Sequence, residues 1–411
     1  MDLLHNAVRP YAWGSRTAIA ELLGKQVPAP HPEAELWMGA HPGDPSKVVG
    51  VDGVERSLLD VLAADPRGQL GSECADRWEG RLPFLLKVLA AEEALSLQAH
   101  PSAAQAAEGF AAEEAAGVPR DASTRNYRDP SAKPELICAL TEFHALAGFR
   151  DPHRTVELLR SLDAPDLGIY TDLLAAQPDS NGLRALFTTW ITLPQPTLDG
   201  LLPNVLDACV LHVKEHGEFD LECRTILELG EAYPGDAGVL AALLLNRLVL
   251  RPGEAIHLPA GNLHAYLHGT GVEILANSDN VLRCGLTPKH VDVPELLRVL
   301  DFAFGDMPVL RGEQIVPGLA VYRTASPEFE LSRLDLISGG EVRVNHVGPQ
   351  VLICVRGSVR LTTERGEELK LAQGQSVWLA ASDPAVLVRP IGEAPAQLFR
   401  ATAGTDSTLT L

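Results

Sequence analysis

A chain of 411 residues, 46% hydrophobic and 21% charged, has the make-up of a folded globular protein of two or three domains rather than a disordered, fibrous or disulfide-stapled one. With 34 Lys and Arg against 54 Asp and Glu, the net charge is −20, a field that repels phosphate backbones and anionic lipid surfaces, so neither nucleic acid nor a membrane is expected as a partner. An anionic ligand would have to be met by a local cluster of Lys and Arg.

The six cysteines (Cys74, Cys138, Cys209, Cys223, Cys284 and Cys354) show no CxxC spacing and read as buried thiols of a reducing compartment. The opening MDLLHNAVRPYAWG lacks the basic and apolar regions of a signal peptide. The longest apolar run, Val239 to Leu245, is stopped by Asn246 and Arg247, far short of a membrane span. A cytoplasmic protein is expected.

In chain order, residues 82–89 and 94–101 read as strands bounded by Pro and Gly, with helix as a competitor because of their Leu and Ala content. From Pro101 to Gly117 an Ala- and Glu-rich segment with Pro at its start and Gly at its end predicts a helix. Asp151-Pro152 is an N-cap followed by a first-turn proline, and Val156, Leu158, Leu159 and Leu162 form one apolar face. Helical pattern continues through Leu183–Trp190, Val205–His216, Thr225–Glu231 and Gly238–Asn246, which makes residues 151–247 a mainly helical block.

Strand character returns from Arg247 to Asn262 and from His264 to Arg283, and Asp292 to Leu300 predicts a short helix. Beyond it, runs at 331–336, 341–347, 351–355, 358–363, 368–371, 376–379 and 385–388 have the close spacing of a β-sandwich or barrel. Leu250-Arg-Pro-Gly-Glu-Ala-Ile-His-Leu-Pro-Ala260 and Leu371-Ala-Gln-Gly-Gln-Ser-Val-Trp-Leu-Ala-Ala381 share an apolar residue, a Gly turn and an alternating strand. They are either two unrelated hairpins or the mark of two related jelly rolls.

Gln98 and His100 stand two apart in a strand-like run, so their side chains leave the same face of a sheet. Lys133-Pro134-Glu135 sets a cation and a carboxylate beside a rigid proline, and Asn262-Leu-His-Ala-Tyr266 opens a later strand with a second imidazole. Two His, one carboxylate and an amide oxygen can hold a metal with a position left open, as in zinc centres of the His₂Glu type. Standing alone, Gln98 and His100 would read rather as a hydrogen-bonded core polar cluster. His257 reads as a core histidine.

Residues 82–89, Ser96-Leu-Gln-Ala-His-Pro101, Lys133-Pro-Glu135, Tyr233-Pro-Gly-Asp236, Leu258–Leu267, and Ser278-Asp-Asn-Val-Leu-Arg283 with Thr287-Pro-Lys289 resemble, in order and spacing, the type I mannose-6-phosphate isomerases. The resemblance runs from about Tyr11 to Val293. It implies a mainly β fold with α: two cupin-like jelly-roll domains plus an inserted helical domain. The catalytic jelly roll would take 1–150 and 248–310, the helical insert 151–247, and a degenerate second jelly roll 311–411.

The same resemblance implies a zinc-dependent aldose-ketose isomerase interconverting mannose 6-phosphate and fructose 6-phosphate, acting as a monomer on a small phosphosugar, with one Zn2+ per chain. Its metal ligands would be Gln98, His100, Glu135 and His264. Its catalytic positions fall on Lys133, Arg283, Asp279 and Glu273, and its substrate-binding positions on Ser96, Lys87, Lys289, Tyr266 and Trp13.

Proton transfer between C2 and C1 through an enediol needs a base and a stabilised oxyanion. Lys133, Asp279 and Glu273 are rival proton carriers, and Arg283, Lys289 and Lys87 are the cations that a phosphate requires. Glu273 could instead pair with Arg283 as a buried ion pair, and Tyr266 and Trp13 could simply wall the pocket.

The family often carries histidine just before Lys-Pro-Glu, a position given a part in ring opening, where this chain has Ala132. Two other functions fit a pair of His with a carboxylate: an Fe(II) cupin oxygenase and a metal- and sugar-binding bicupin without turnover. Cys354, Arg356 and Trp378 in the C-terminal part form no comparable ligand set.

Overall fold

The computed structural model describes residues 1–50, 53–345 and 347–404. Among these, strands form sheets of nine, ten and four members, and most of the long helices gather between Pro152 and Ala242, with the 13-residue helix Ala103–Ala115 and short helices elsewhere. This is a mainly β fold with α, built as two jelly rolls with a helical block. No described helix is long and apolar enough to cross a membrane.

The spine of the ten-stranded sheet is the 13-residue strand His264–Ala276. Its C-terminal half pairs with Phe84–Ala91 on one side and Glu135–Ala139 on the other, and its N-terminal half pairs with Phe143–Phe149. The switch of partner coincides with a register shift between Tyr266 and His268, followed by Gly269 at φ +118°. A Cβ there would lie 2.5 Å from the Glu142 carbonyl oxygen, so only glycine lets this strand bend between two sets of neighbours. At its first residue, His264, it meets Gln98 of the short strand Leu97–Ala99, which pairs on its other edge with Leu282–Gly285.

The helical block starts as its sequence indicates. Asp151 caps Pro152–Leu162 by accepting the amides of His153 and Arg154, and Leu158, Leu159 and Leu162 are buried in a core shared with Leu97, Ala99, Leu146 and Phe149. Two boundaries differ from expectation. Gln195–Lys214 is one continuous helix although Pro203 lies inside it. The helix expected over 238–246 ends at Ala242, and Leu245–Leu250 is a strand antiparallel to Phe143–Phe149. An unbroken apolar run has no period with which to tell helix from strand, so pairing decided it.

In the second jelly roll the expected strands are present. The run expected at 341–347 is realised as Val342–Val344, with His346 outside the described residues. Ala396–Thr402, not anticipated, lies between Glu330–Leu336 and Gln350–Arg356. The N-terminal strand Asp2–His5 pairs with Ser376–Leu379, opposing Asp2 to Trp378, and the Met1 amine meets Asp383 at 3.2 Å. The first residues thus extend the C-terminal sheet.

The recurring eleven-residue element proves structural in both places. Gly253 (φ +87°) and Gly374 (φ +79°) occupy the same left-handed turn position. Each donates its amide at 2.8 Å to the strand that pairs with the segment after the turn, through the carbonyls of Ala139 and Cys354 respectively. Equivalent turns with equivalent partners identify two related jelly rolls rather than chance hairpins.

Candidate active site

Three segments bring the four ligand candidates together. Opposite one another across paired strands, Gln98 and His264 place Gln98 Nε2 3.4 Å from His264 Nε2. His100 follows on the same face, and Glu135 opens the strand Glu135–Ala139. The ligand atoms of His100, Glu135 and His264 all lie within 4.8 Å of one another, and the three residues are 1–2% exposed.

The tautomers are fixed from outside. His100 Nδ1–H donates to the Asn280 carbonyl at 2.7 Å and His264 Nδ1–H to the Asn262 carbonyl at 3.0 Å. Both imidazoles therefore aim an Nε2 lone pair inward, at Glu135 Oε1 (3.2 Å) and Oε2 (3.5 Å) respectively.

Lone pairs turned on a buried carboxylate are unfavourable without a cation between them, and His100 Nε2 and Glu135 Oε2 have no hydrogen-bond partner in the protein. Burial holds the His100 imidazole down at about 4, so it is the neutral ligand form. Burial opposes the Glu135 charge, but neighbouring His100 and Lys133 hold its carboxyl well below the usual carboxylate range. A half-turn of the Gln98 amide presents oxygen in place of nitrogen, completing a donor set of two N and two O suited to zinc.

Lys133 sits at the edge of this group, nearly buried, with Nζ 3.2 Å from Glu135 Oε1. A second buried network stands beside it. Lys87 is paired in register with Trp37 and Glu273, and its ammonium lies 3.6 Å from Glu35 and 3.5 Å from Glu273 with the Trp37 ring 5.0 Å away. Burial alone would lower Lys87, but the two carboxylates outweigh it and hold the amine above its ordinary range.

Lys87 therefore stands in a buried ion network, unlike Arg283 and Lys289, with which the sequence grouped it as a candidate phosphate cation. Glu273 accepts from Tyr266 OH at 2.9 Å and pairs with Lys87, not Arg283, and burial pushes its carboxyl up to about 7. Tyr266 is buried, with its ring centroid 6.0 Å from that of His264.

At the rim, Asp279 is half exposed and takes a hydrogen bond from His41 Nε2 at 3.3 Å, which together with Lys133 and Arg128 nearby lowers its carboxyl against burial. Arg283 is half-buried, opposite Gln98 in the strand register, and Lys289 is exposed in the following loop. Ser96 is half-buried just ahead of Gln98. Trp13 is half-buried and stacks on Tyr11 at 5.7 Å, and its carbonyl holds the amides of Glu92 and Glu93 in the turn that leads to Ser96.

Residues 1–152 match the family model for the phosphomannose isomerase type I catalytic domain. Mannose-6-phosphate isomerase of Escherichia coli (strain K12) is 40% identical over 396 residues, covering 95% of this chain and 98% of that protein. This chain belongs to the type I mannose-6-phosphate isomerase family. A relative from Arabidopsis thaliana, mannose-6-phosphate isomerase 2, is 33% identical over 87% of this chain and 83% of its own length.

Among solved structures, a mutant of phosphomannose isomerase from Salmonella typhimurium superposes with a TM-score of 0.88 at 35% identity, covering 98% of this chain and 100% of that one. A zinc-bound mannose 6-phosphate isomerase gives 0.88 at 35% identity over 98% and 99% of the two chains.

Three further residues stand beside this group of ligand candidates that sequence reasoning did not single out. His41 accepts the Gly43 amide on Nδ1 at 3.0 Å, which leaves Nε2–H for Asp279, and its ring is edge-on to Trp37 at 4.8 Å. Its only sequence signal is its place in the run Glu35–Asp44. Asn280 lies inside the Ser278–Arg283 motif but acts partly through its backbone carbonyl, which no residue type reveals. Arg128 has no motif at all.

Proposed function

We propose that this protein is a zinc-dependent aldose-ketose isomerase that interconverts mannose 6-phosphate and fructose 6-phosphate, linking central sugar metabolism to mannose activation. The observation that carries the reading is the pair of inward-facing imidazole lone pairs opposing the buried Glu135 carboxylate, in a chain alike along nearly its whole length to mannose-6-phosphate isomerases. Gln98, His100, Glu135 and His264 would hold one Zn2+, which as a Lewis acid supplies stabilisation of negative charge on a substrate oxygen.

The chain's own groups account for the rest of an enediol route. Lys133, beside Glu135 and within electrostatic reach of Asp279, is the group best placed to carry the proton between C2 and C1. Glu273 is poised near neutrality and linked to Tyr266, so it can buffer that proton from behind the site. Arg283 and Lys289 face the substrate's phosphate, the local reversal that a net charge of −20 demands.

The test is a coupled assay of fructose 6-phosphate formed from mannose 6-phosphate, before and after chelation, with Zn2+ and Fe2+ restored separately. Turnover lost on chelation and regained with Zn2+ is expected. A folded, fully metal-loaded protein without turnover overturns the reading in favour of a binding bicupin, and activity that returns only with Fe2+ and consumes O2 would point to an oxygenase.

A further inference from the structure

Most surface arginines in this acidic chain are held by carboxylates, as Arg154 is by Glu157 and Glu218, and Arg298 by Glu108 and Glu295. Among the described residues, Arg128, Arg283 and Lys289 have no salt-bridge partner; burial lowers the pKa of Arg283 and of Lys289, and neighbouring positive charge adds to it, Arg128 at Arg283 and both arginines at Lys289. Three neighbouring cations repel one another, the Asp279 carboxylate offsets them in part, and a bound anion would relieve what remains.

Arg128 is held in place by more than chance packing. Its amide donates to Asn280 Oδ1 at 2.7 Å, and the Asp129 amide reaches the same oxygen at 3.2 Å. Asn280 Nδ2 returns bonds to the carbonyls of Asp129 (2.7 Å) and Ser131 (2.9 Å), and Asp129 accepts from the Asp279 amide (2.9 Å) and Ser278 Oγ (2.8 Å). Asn280 is fully buried, and its carbonyl is the group that orients the His100 imidazole. One residue, three positions before Arg283 in the sequence, thus fixes both a metal-ligand candidate and the segment 128–131.

We propose that Arg128 is a substrate-binding residue, a third cation that closes on the phosphate beside Arg283 and Lys289, and that Asn280 is the positioning residue that sets it at a fixed distance from the metal site. This rests on the phosphosugar reading above. A guanidinium on an exposed segment pinned at its backbone offers two parallel N–H donors to phosphate oxygens with little reorganisation.

Arg128→Ala is exposed and not expected to disturb folding. In the zinc-loaded enzyme it should raise KM for mannose 6-phosphate about tenfold or more with kcat changed less than threefold, as expected for one lost charge-assisted contact. Arg128→Lys should recover part of the loss, and Lys370→Ala, which removes one exposed charge from the C-terminal sheet, should leave KM within twofold.

Competition by inorganic phosphate, or its direct titration by calorimetry if mannose 6-phosphate is not turned over, should weaken in parallel in Arg128→Ala. A wild type that turns over while Arg128→Ala keeps KM and phosphate affinity within twofold overturns the assignment and leaves the isomerase reading intact. A wild type that binds phosphate through Arg128 without turnover supports the subsite and defeats the isomerase reading. Binding lost equally in Lys370→Ala shows only a global field effect and also overturns it.

Discussion

Replacing Lys87 by Met tests the buried network beside the metal site. Lys87 is 7% exposed and is the cation between Glu35 and Glu273 at 3.6 and 3.5 Å. At an effective dielectric near 20, each contact carries about 5 kcal/mol of attraction, most of it offset by the cost of burying three charges. Removing one partner of such a buried pair typically costs about 3–5 kcal/mol, because the carboxylates stay behind.

Glu273 gives the variant an escape. With a folded pKa raised to about 7 from an ordinary 4.5, the native state binds more protons than the unfolded chain across that window, so its contribution to stability falls as pH rises from about 4.5 to 7. Without Lys87 the carboxyl rises further, and protonation relieves the variant at low pH.

Scanning calorimetry of the metal-loaded proteins should therefore show a deficit in Tm that is larger at pH 8.5 than at pH 5.5. A Lys87→Met, Glu273→Gln double variant should recover much of the loss at pH 8.5, as coupled neighbours do. An equal deficit at both pH values with no recovery in the double variant would refute the reasoning.

Three further outcomes are expected. Glu135→Gln keeps the shape but removes the charge between the two imidazoles, and should lower bound zinc at least tenfold when metal content is measured after dialysis against a weak chelator. His41→Leu removes the donor that lowers the Asp279 carboxyl, so the acidic limb of the kcat/KM profile should move to higher pH if an ionised Asp279 is required. In Gly109→Ala, the new Cβ would stand 2.3 Å from the Tyr127 ring, next to Arg128, and should cost about 1–3 kcal/mol in urea unfolding, together with a higher KM.

The candidate metal group was legible because strand periodicity puts Gln98 and His100 on one face and because Lys-Pro-Glu and Asn-Leu-His are short, compositionally marked segments. The helical block was legible from Asp151-Pro152 and its apolar stripes. Less was readable where a signal depended on a partner. The helix read over Val205–His216 starts ten residues earlier, at Gln195, with Pro203 inside it; residues 243–246 read as helix, yet the strand opposite Phe149 has begun by Leu245. Lys87 reads as a free phosphate cation, since nothing local shows that Glu35 and Glu273 lie across two neighbouring strands.

By itself, then, the sequence determined what local chemistry can determine: a charge that excludes polyanions, the alternation that makes strands, the capped helices, and the residue types able to hold a metal. Tertiary structure decided which atoms of those residues are free to act. His100 and His264 turn Nε2 inward, as metal ligands would, because carbonyls of Asn280 and Asn262 claim their other nitrogens, the former 180 residues away. Glu273 is raised to about 7 by burial together with the charges of Glu135 and Glu35, and Asp2–His5 becomes a strand by pairing with Lys47–Val49 on one edge and with residues more than 370 positions later on the other. Hydrogen bonds, desolvation and ion pairing act through space, so they are settled when distant segments meet.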